Sequence, residues 1–183
     1  MNQTNSHSES VIIIGGGAAG FFTAINAARW NPSLQVTILE KSREVLSKVR
    51  ISGGGRCNVT HHCFDPDLLS KAYPRGENVL RWSFEQFQAK DTVAWFSQRG
   101  VDLKTEEDGR MFPITDSSET VIDCLMQEAE RHGVQIQTKT KVNSIEPLSN
   151  GNGHGFRLNI HKSGPITCDR LVVATGGYNR ETA

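Results

Sequence analysis

Apolar positions first gather at Ser10 to Ile14 (SVIII), a run of β-branched residues that predicts a short buried strand behind a polar tail over 1–9. The glycine-rich Gly15-Gly16-Gly17-Ala18-Ala19-Gly20 follows at once. Beyond it Ala18, Phe22 and Ile25 recur at helical spacing, and Asn31-Pro32 ends the pattern. Leu34 to Leu39 (LQVTIL) predicts a second strand, which runs into Glu40. Together these make a strand, glycine turn, helix and strand, the opening of a βαβ unit.

From Lys41 to Thr60 the chain becomes polar and rich in glycine, too irregular to sustain one regular element. Helix is expected in pieces from Leu68 to Gly100, with Asp91 as an N-cap and Gly100 as a stop. A clearer helix covers Ser118 to His132, where Val121, Ile122, Leu125, Met126 and Ala129 form one apolar face and Gly133 ends it. The period then changes to two. Val134 to Thr138, Lys141 to Ile145, Phe156 to Ile160 and Ile166 to Cys168 predict short strands, with Asn150-Gly151-Asn152-Gly153 as a turn. A last apolar strand, Leu171 to Ala174, runs into Thr175-Gly176-Gly177.

Composition narrows the class. The chain has 183 residues, 20 Lys+Arg against 20 Asp+Glu, and 37% hydrophobic residues. A chain of this length can bury about 70% of its unfolded surface without disulfides or a structural metal. Zero formal charge argues against a nucleic-acid module, which carries a basic excess or stripe. No stretch reaches the length of a membrane span, the N-terminus carries no secretory signal, and four cysteines are too sparse for a disulfide scaffold. A cytoplasmic protein is expected, with a small-molecule substrate, no membrane partner and no assignable oligomeric state.

The candidate chemistry begins at Gly15-x-Gly17-x-x-Gly20 between a strand and a helix. Gly15 permits the turn, Gly17 allows a pyrophosphate close to the backbone, and Gly20 lets helix and strand approach. The N–H groups and dipole of the helix N-terminus favour an anion there. Glu40, twenty residues after Gly20, stands where a carboxylate accepts from ribose hydroxyls, and it disfavours a 2′-phosphate. FAD and NAD(P) share this adenosine end. Nearly a hundred residues and a short-strand meander then intervene before Ala174-Thr175-Gly176-Gly177, which favours FAD over a plain NAD fold.

The segment Ser52-Gly53-Gly54-Gly55-Arg56-Cys57-Asn58 offers glycines for approach to a planar group, Arg56 as a cation, and Asn58 as donor and acceptor. Such groups suit the N1/O2 side of a flavin. Cys57 and Cys63 are one residue too far apart for the disulfide-reductase pair on one helical face. Neither has partners at zinc-ligand spacing, so no metal is expected.

Val11 to Gly20, Glu40, ISGGGRCNVT (Ile51 to Thr60), EEDGRMFP (Glu106 to Pro113) and VVATGG (Val172 to Gly177) together resemble the N-terminal part of the BaiN-like (YhiN-type) NAD(P)/FAD-dependent oxidoreductases. The resemblance implies a Rossmann-like, glutathione-reductase-type FAD-binding α/β domain over 10–183, with a parallel sheet and a small antiparallel meander. It implies pyrophosphate contacts at Gly15, Gly17, Ala18, Ala19 and Gly20, and ribose contact at Glu40. It places Ser52, Gly53, Arg56, Cys57 and Asn58 by the flavin, the Val142 backbone by the adenine, and Ala174, Thr175 and Gly176 along the cofactor's middle. Gly109 to Pro113 are expected to support the flavin loop.

Members of that family continue past the ATGG strand, so the domain is expected to be truncated here, without its substrate domain and closing FAD segment. The expected activity is hydride transfer from NAD(P)H through FAD to a small organic acceptor, and no catalytic side chain is assigned. A non-catalytic FAD-binding fragment is the alternative. A flavin-dependent RNA-modifying enzyme is disfavoured by the neutral charge and by SGGGRCNVT.

Overall fold

The computed structural model describes residues 8–150 and 153–177. The described residues divide into two compact units, one formed by those up to 47 with those from 125 onward and the other by 48–124.

The first unit is built on a four-stranded parallel sheet. Its strands are β1 (Ser10–Ile14), β2 (Gln35–Leu39), β6 (Gln135–Gln137) and β10 (Arg170–Val173), in the order β10-β1-β2-β6. β1 lies between β10 and β2, with Ile13 opposite Val172 on one side and Ile38 on the other. A strand enclosed in this way must be apolar on both faces; Val11, Ile12 and Ile13 are all buried. α1 (Ala18–Trp30) packs on the sheet through Phe21, Ala24, Ile25 and Ala28, and ends at Asn31, whose N–H donates to the Ala27 carbonyl.

Of the four short strands expected after α6, the helix over Ser118–Arg131, the first is β6 of the parallel sheet, and the other three form an antiparallel sheet of β7 (Val142–Asn150), β8 (Gly153–Ile160) and β9 (Ile166–Cys168). β7 and β8 run further than their apolar segments, with Asn150 opposite Gly153. The residues between them, 151–152, lie outside the described residues. Pro147 sits in β7, an edge strand of this sheet, where proline is tolerated. Leu158, Ile160 and Cys168 of the meander pack with Ile12 and Leu39 of the parallel sheet in one apolar cluster. Ser10 closes the unit: its N–H and Oγ donate to Asp169 Oδ2 at 2.7 and 2.6 Å.

The second unit contains α2 (Ser47–Ile51, from its second residue), a tight glycine turn over Ser52–Gly55, and the helices α3 (Pro66–Lys71), α4 (Glu77–Gln86) and α5 (Ala89–Ser97). Its sheet is antiparallel, in the order β3-β5-β4, from β3 (Thr60–His61), β4 (Leu103–Thr105) and β5 (Arg110–Pro113). α6 (Ser118–Arg131) leads back to the first unit. Val121, Ile122, Leu125 and Ala129 on α6 are buried, whereas Met126, expected on the same face, is 38% exposed.

One of the two expected caps differs. Asp91 is not the N-cap of α5 but its third residue: Asp91 Oδ2 accepts from the N–H of Gln88, which occupies the cap, at 2.9 Å. Gly100 does end the following turn, in a left-handed conformation with φ of 76°, and Val101 N–H reaches back to Phe96 O.

Leu158, with no exposed surface, is the centre of the cluster that joins meander and sheet. Leu158→Ala should cost about 2 to 5 kcal/mol, read as a lowered urea midpoint with an unchanged slope.

Candidate functional site

The turn after β1 is shaped by backbone contacts that only glycine permits. A Cβ on Gly15, where φ is +115°, would lie 2.4 Å from the Ala174 carbonyl oxygen. One on Gly20 would lie 1.9 Å from the Gly15 oxygen, and one on Gly16 would lie 2.8 Å from Val45 Cγ1. These three glycines are therefore accounted for by the chain itself. Gly17 is different. Its φ of −92° suits any residue, and an added Cβ meets nothing within 4 Å.

Gly17 is also the N-cap of α1, with no side-chain cap and no acidic residue in the first turn. The leading N–H groups of a helix have no intrahelical acceptor. Here they belong to a turn whose next residues, Ala18 and Ala19, are exposed and carry only methyl groups. The result is a positive dipole end beside open space, which fits a pyrophosphate.

Glu40 follows β2 and is held from two sides. Its Oε2 accepts from Gly16 N–H and its Oε1 from Ser42 N–H, both at 2.8 Å. Burial alone would raise its pKa, but these backbone donors, with Lys41 nearby, outweigh that and bring it below the ordinary carboxylate value. Each oxygen keeps a lone pair for a hydroxyl donor. The segment after Glu40 folds back on the glycine turn, where Leu46 N–H donates to Gly16 O at 2.7 Å and the buried Leu46 side chain is in a left-handed conformation. This clasp was hidden in the sequence because Lys41 to Thr60 reads as one polar stretch.

The remaining candidates of this unit lie at the same end of the parallel sheet. Ala174 N–H donates to Ile14 O at 2.8 Å, which places Ala174, Thr175 and Gly176 beside Gly15, with Thr175 and Gly176 exposed. Thr140 N–H donates to Glu40 O at 2.8 Å and so draws the entry to β7 towards Glu40. Val142 follows two residues later, its side chain packed against the apolar cluster and its backbone at a register shift of β7. The structure thus gathers Gly15, Gly17, Ala18, Ala19, Gly20, Glu40, Val142, Ala174, Thr175 and Gly176 around the carboxyl ends of β1, β2 and β10.

Ser52, Gly53, Arg56, Cys57 and Asn58 belong to the second unit. Gly53, Gly54 and Gly55 have φ of 57°, 71° and 86°, and Cys57 joins them at 62°. Such a run of left-handed residues is open to glycine and costly for others. Ser52 Oγ donates to Val49 O at 2.8 Å, and Cys57 N–H to Ser52 O at 3.0 Å. Cys57 is 6% exposed and its thiol is pushed up by burial, so it faces inward as a protonated core group. Asn58 donates through Nδ2 to the carbonyls of Thr60 and Met111, at 2.9 and 3.3 Å, in the amide orientation that satisfies both.

Arg56, expected to offer a fixed positive fork, has partners within its own unit. It pairs with Glu106, lies 3.6 Å from Asp116, and stacks 4.0 Å from the Phe112 ring centroid. Phe112 is fully buried and also lies beneath Gly53, whose Cβ would be 2.7 Å from its ring. Gly109 to Pro113 therefore support the loop as expected, through β5 and Phe112.

The chain matches the model of the HI0933-like protein Rossmann domain over residues 9–181, and it belongs to that family. It is 32% identical to the 3-dehydro-bile acid delta(4,6)-reductase of Clostridium scindens over 90% of this chain and 38% of the relative. It is 28% identical to the ribosomal RNA dihydrouridine synthase of Haemophilus influenzae, over 92% of this chain and 40% of the relative. The chain thus spans about two fifths of the length of these curated relatives. Its fold is also that of the 3-ketosteroid-delta4-(5alpha)-dehydrogenase of Rhodococcus jostii RHA1, at a TM-score of 0.66 and 14% identity, over 95% of this chain and 47% of that one. Since both kinds of relative match the same stretch, family membership does not separate a small-molecule reductase from an RNA-modifying enzyme, and it removes the support that the family resemblance lent to the exclusion of nucleic acid. No helix among the described residues is long and apolar enough to cross a membrane.

Two predictions follow from the glycine environments and from Glu40. Gly54→Ala meets nothing within 4 Å and should cost only the left-handed penalty, about 1 to 2 kcal/mol. Gly53→Ala adds the clash with Phe112 and should cost roughly 2 to 5 kcal/mol, as measured by chemical unfolding. Because the folded-state pKa of Glu40 is lowered, its stabilisation is complete above its ordinary value of 4.5 and is lost as pH falls through the folded value. The stability gap between wild type and Glu40→Gln should therefore be widest at neutral pH and close on acidification.

Proposed function

We propose that this chain is the nucleotide-binding part of an FAD-dependent oxidoreductase of the cytoplasm. The observation that carries the reading is Gly17, a glycine that neither backbone conformation nor packing requires, at the uncapped start of α1 and next to the ionised Glu40. A residue with open space where its side chain would be fits the close approach of a pyrophosphate.

In this reading Gly15, Gly17, Ala18, Ala19 and Gly20 hold the pyrophosphate and Glu40 accepts from the ribose. The Val142 backbone meets the adenine, and Ala174, Thr175 and Gly176 follow the middle of the cofactor. The family resemblance assigns Ser52, Gly53, Arg56, Cys57 and Asn58 to the flavin end. When bound, FAD supplies the hydride chemistry, with NAD(P)H as the reductant. The chain's own contribution is to bind, to orient and to fix charge.

The names of the two relatives share one chemistry, saturation of a carbon–carbon double bond in a ring. We take such a bond as the acceptor class: NAD(P)H gives up a hydride, solvent supplies the matching proton, and the product carries two added hydrogens. A small organic acceptor is the first reading. A uridine in RNA is the second, and it rests on the dihydrouridine synthase relative.

Purified chain should take up FAD and show a flavin absorbance band; NAD alone in the released ligand would overturn the assignment. Gly17→Val should lower stability by only about 1 kcal/mol, the difference in capping preference, while abolishing FAD uptake. Glu40→Ala should remove charge-assisted hydrogen bonds of roughly 1.5 to 3 kcal/mol and weaken FAD binding about ten- to a hundred-and-fifty-fold in a fluorescence titration.

A further inference from the structure

Six charges in the second unit form an alternating chain. Lys104 pairs with Asp116, Asp116 Oδ1 lies 3.6 Å from Arg56 Nη1, and Arg56 pairs with Glu106. Glu106 Oε2 then lies 3.6 Å from Arg110 Nη2, and Arg110 Nε lies 2.7 Å from Asp108 Oδ2. Five of the six sit on β4, β5 and their flanking turns. Arg56 alone comes from the glycine loop.

Exposed ion pairs are worth little by themselves. This one is constrained by more than charge. The Arg56 and Glu106 side chains are only 33% and 29% exposed, and the guanidinium carbon lies 4.0 Å from the centroid of the buried Phe112 ring. Arg56 Nε also donates to Gly53 O at 3.4 Å. The charge states agree with the geometry: the Glu106 hydrogen bond raises the Arg56 pKa, and Lys104 lowers that of Asp116. Three cations and three anions leave the chain with no net charge.

We propose that Glu106 is a positioning residue that makes Arg56 a fixed, charge-balanced peg of the Gly53–Gly55 loop, so that the loop offers its ligand no net positive charge. The identity of that ligand as flavin rests on the function proposed above. An uncompensated cation beside the ring would stabilise its reduced, anionic form and raise the midpoint potential. A balanced one holds the potential lower, which suits onward transfer of hydride to a carbon–carbon double bond.

The test has two arms. In the chain without flavin, Glu106→Gln should speed amide hydrogen exchange at residues 53–58 about tenfold, the loss of roughly 1.4 kcal/mol of local stability, while β1 and α1 amides stay unchanged as a control of folding. Glu106→Asp should restore much of the protection, and Asp116→Asn should show the same effect more weakly. In the FAD-loaded chain, Glu106→Gln should raise the flavin midpoint potential and Glu106→Asp should return it towards wild type. Unchanged loop exchange in Glu106→Gln overturns the positioning role whether or not flavin is bound. Faster exchange with an unmoved potential overturns the charge balance. Failure of the wild-type chain to take up any flavin refutes the proposed function instead, and leaves the exchange arm to decide the positioning role.

Discussion

The contact on which the site depends is between two pieces of backbone. Gly20 in the first turn of α1 lies against the carbonyl of Gly15, so close that a single methyl group cannot fit between them. This approach sets the first turn of the helix directly over the end of β1, where Ala174 presses on Gly15 from the neighbouring strand. Apolar burial along Val11, Ile12 and Ile13 stabilises the arrangement but does not aim it. The aim comes from the absence of side chains at the turn, and every polar group of the cradle takes its place from that.

Charge is arranged differently in the two units. In the first, one carboxylate is kept ionised by backbone donors from Gly16 and Ser42 and so ties the glycine turn to the end of β2. In the second, charges are matched with one another until little is left over. Glu40 is thus a carboxylate with acceptor capacity to spare, whereas Arg56 has most of its capacity committed to Glu106, Asp116 and Phe112. A cation in a glycine-rich loop looks like an anion site in the sequence. Its partners, fifty and sixty positions further on, decide whether it is one.

The glycine turn, α1, β2 and the apolar last strand were legible because each is specified within a few residues: β-branched runs, a 3.6-residue period and glycines at fixed offsets. The small β3-β5-β4 sheet was not. Its strands are two to four residues long, and β5 contains Arg110 and Pro113, so no alternation announces it. Asp65-Pro66, which caps α3 through Asp65 Oδ1, was a readable signal that the apolar pattern from Leu68 onward obscured. Asp91 shows the limit of local rules, since the same residue can cap a helix or reach back from its first turn. The inward orientation of Cys57 and the commitment of Arg56 depend on long-range packing, which spacing cannot express.

The contrast between Gly20 and Gly17 bears on how such a chain would drift over generations. Selection for folding alone would hold Gly15 and Gly20 in place, because any replacement collides with backbone. It would have no hold on Gly17. Serine or aspartate there would cap α1 and add stability, so neutral drift under a purely structural constraint would carry the position away from glycine. A glycine at the start of α1, where the fold would gain by losing it, leaves open a space that the fold itself does not use.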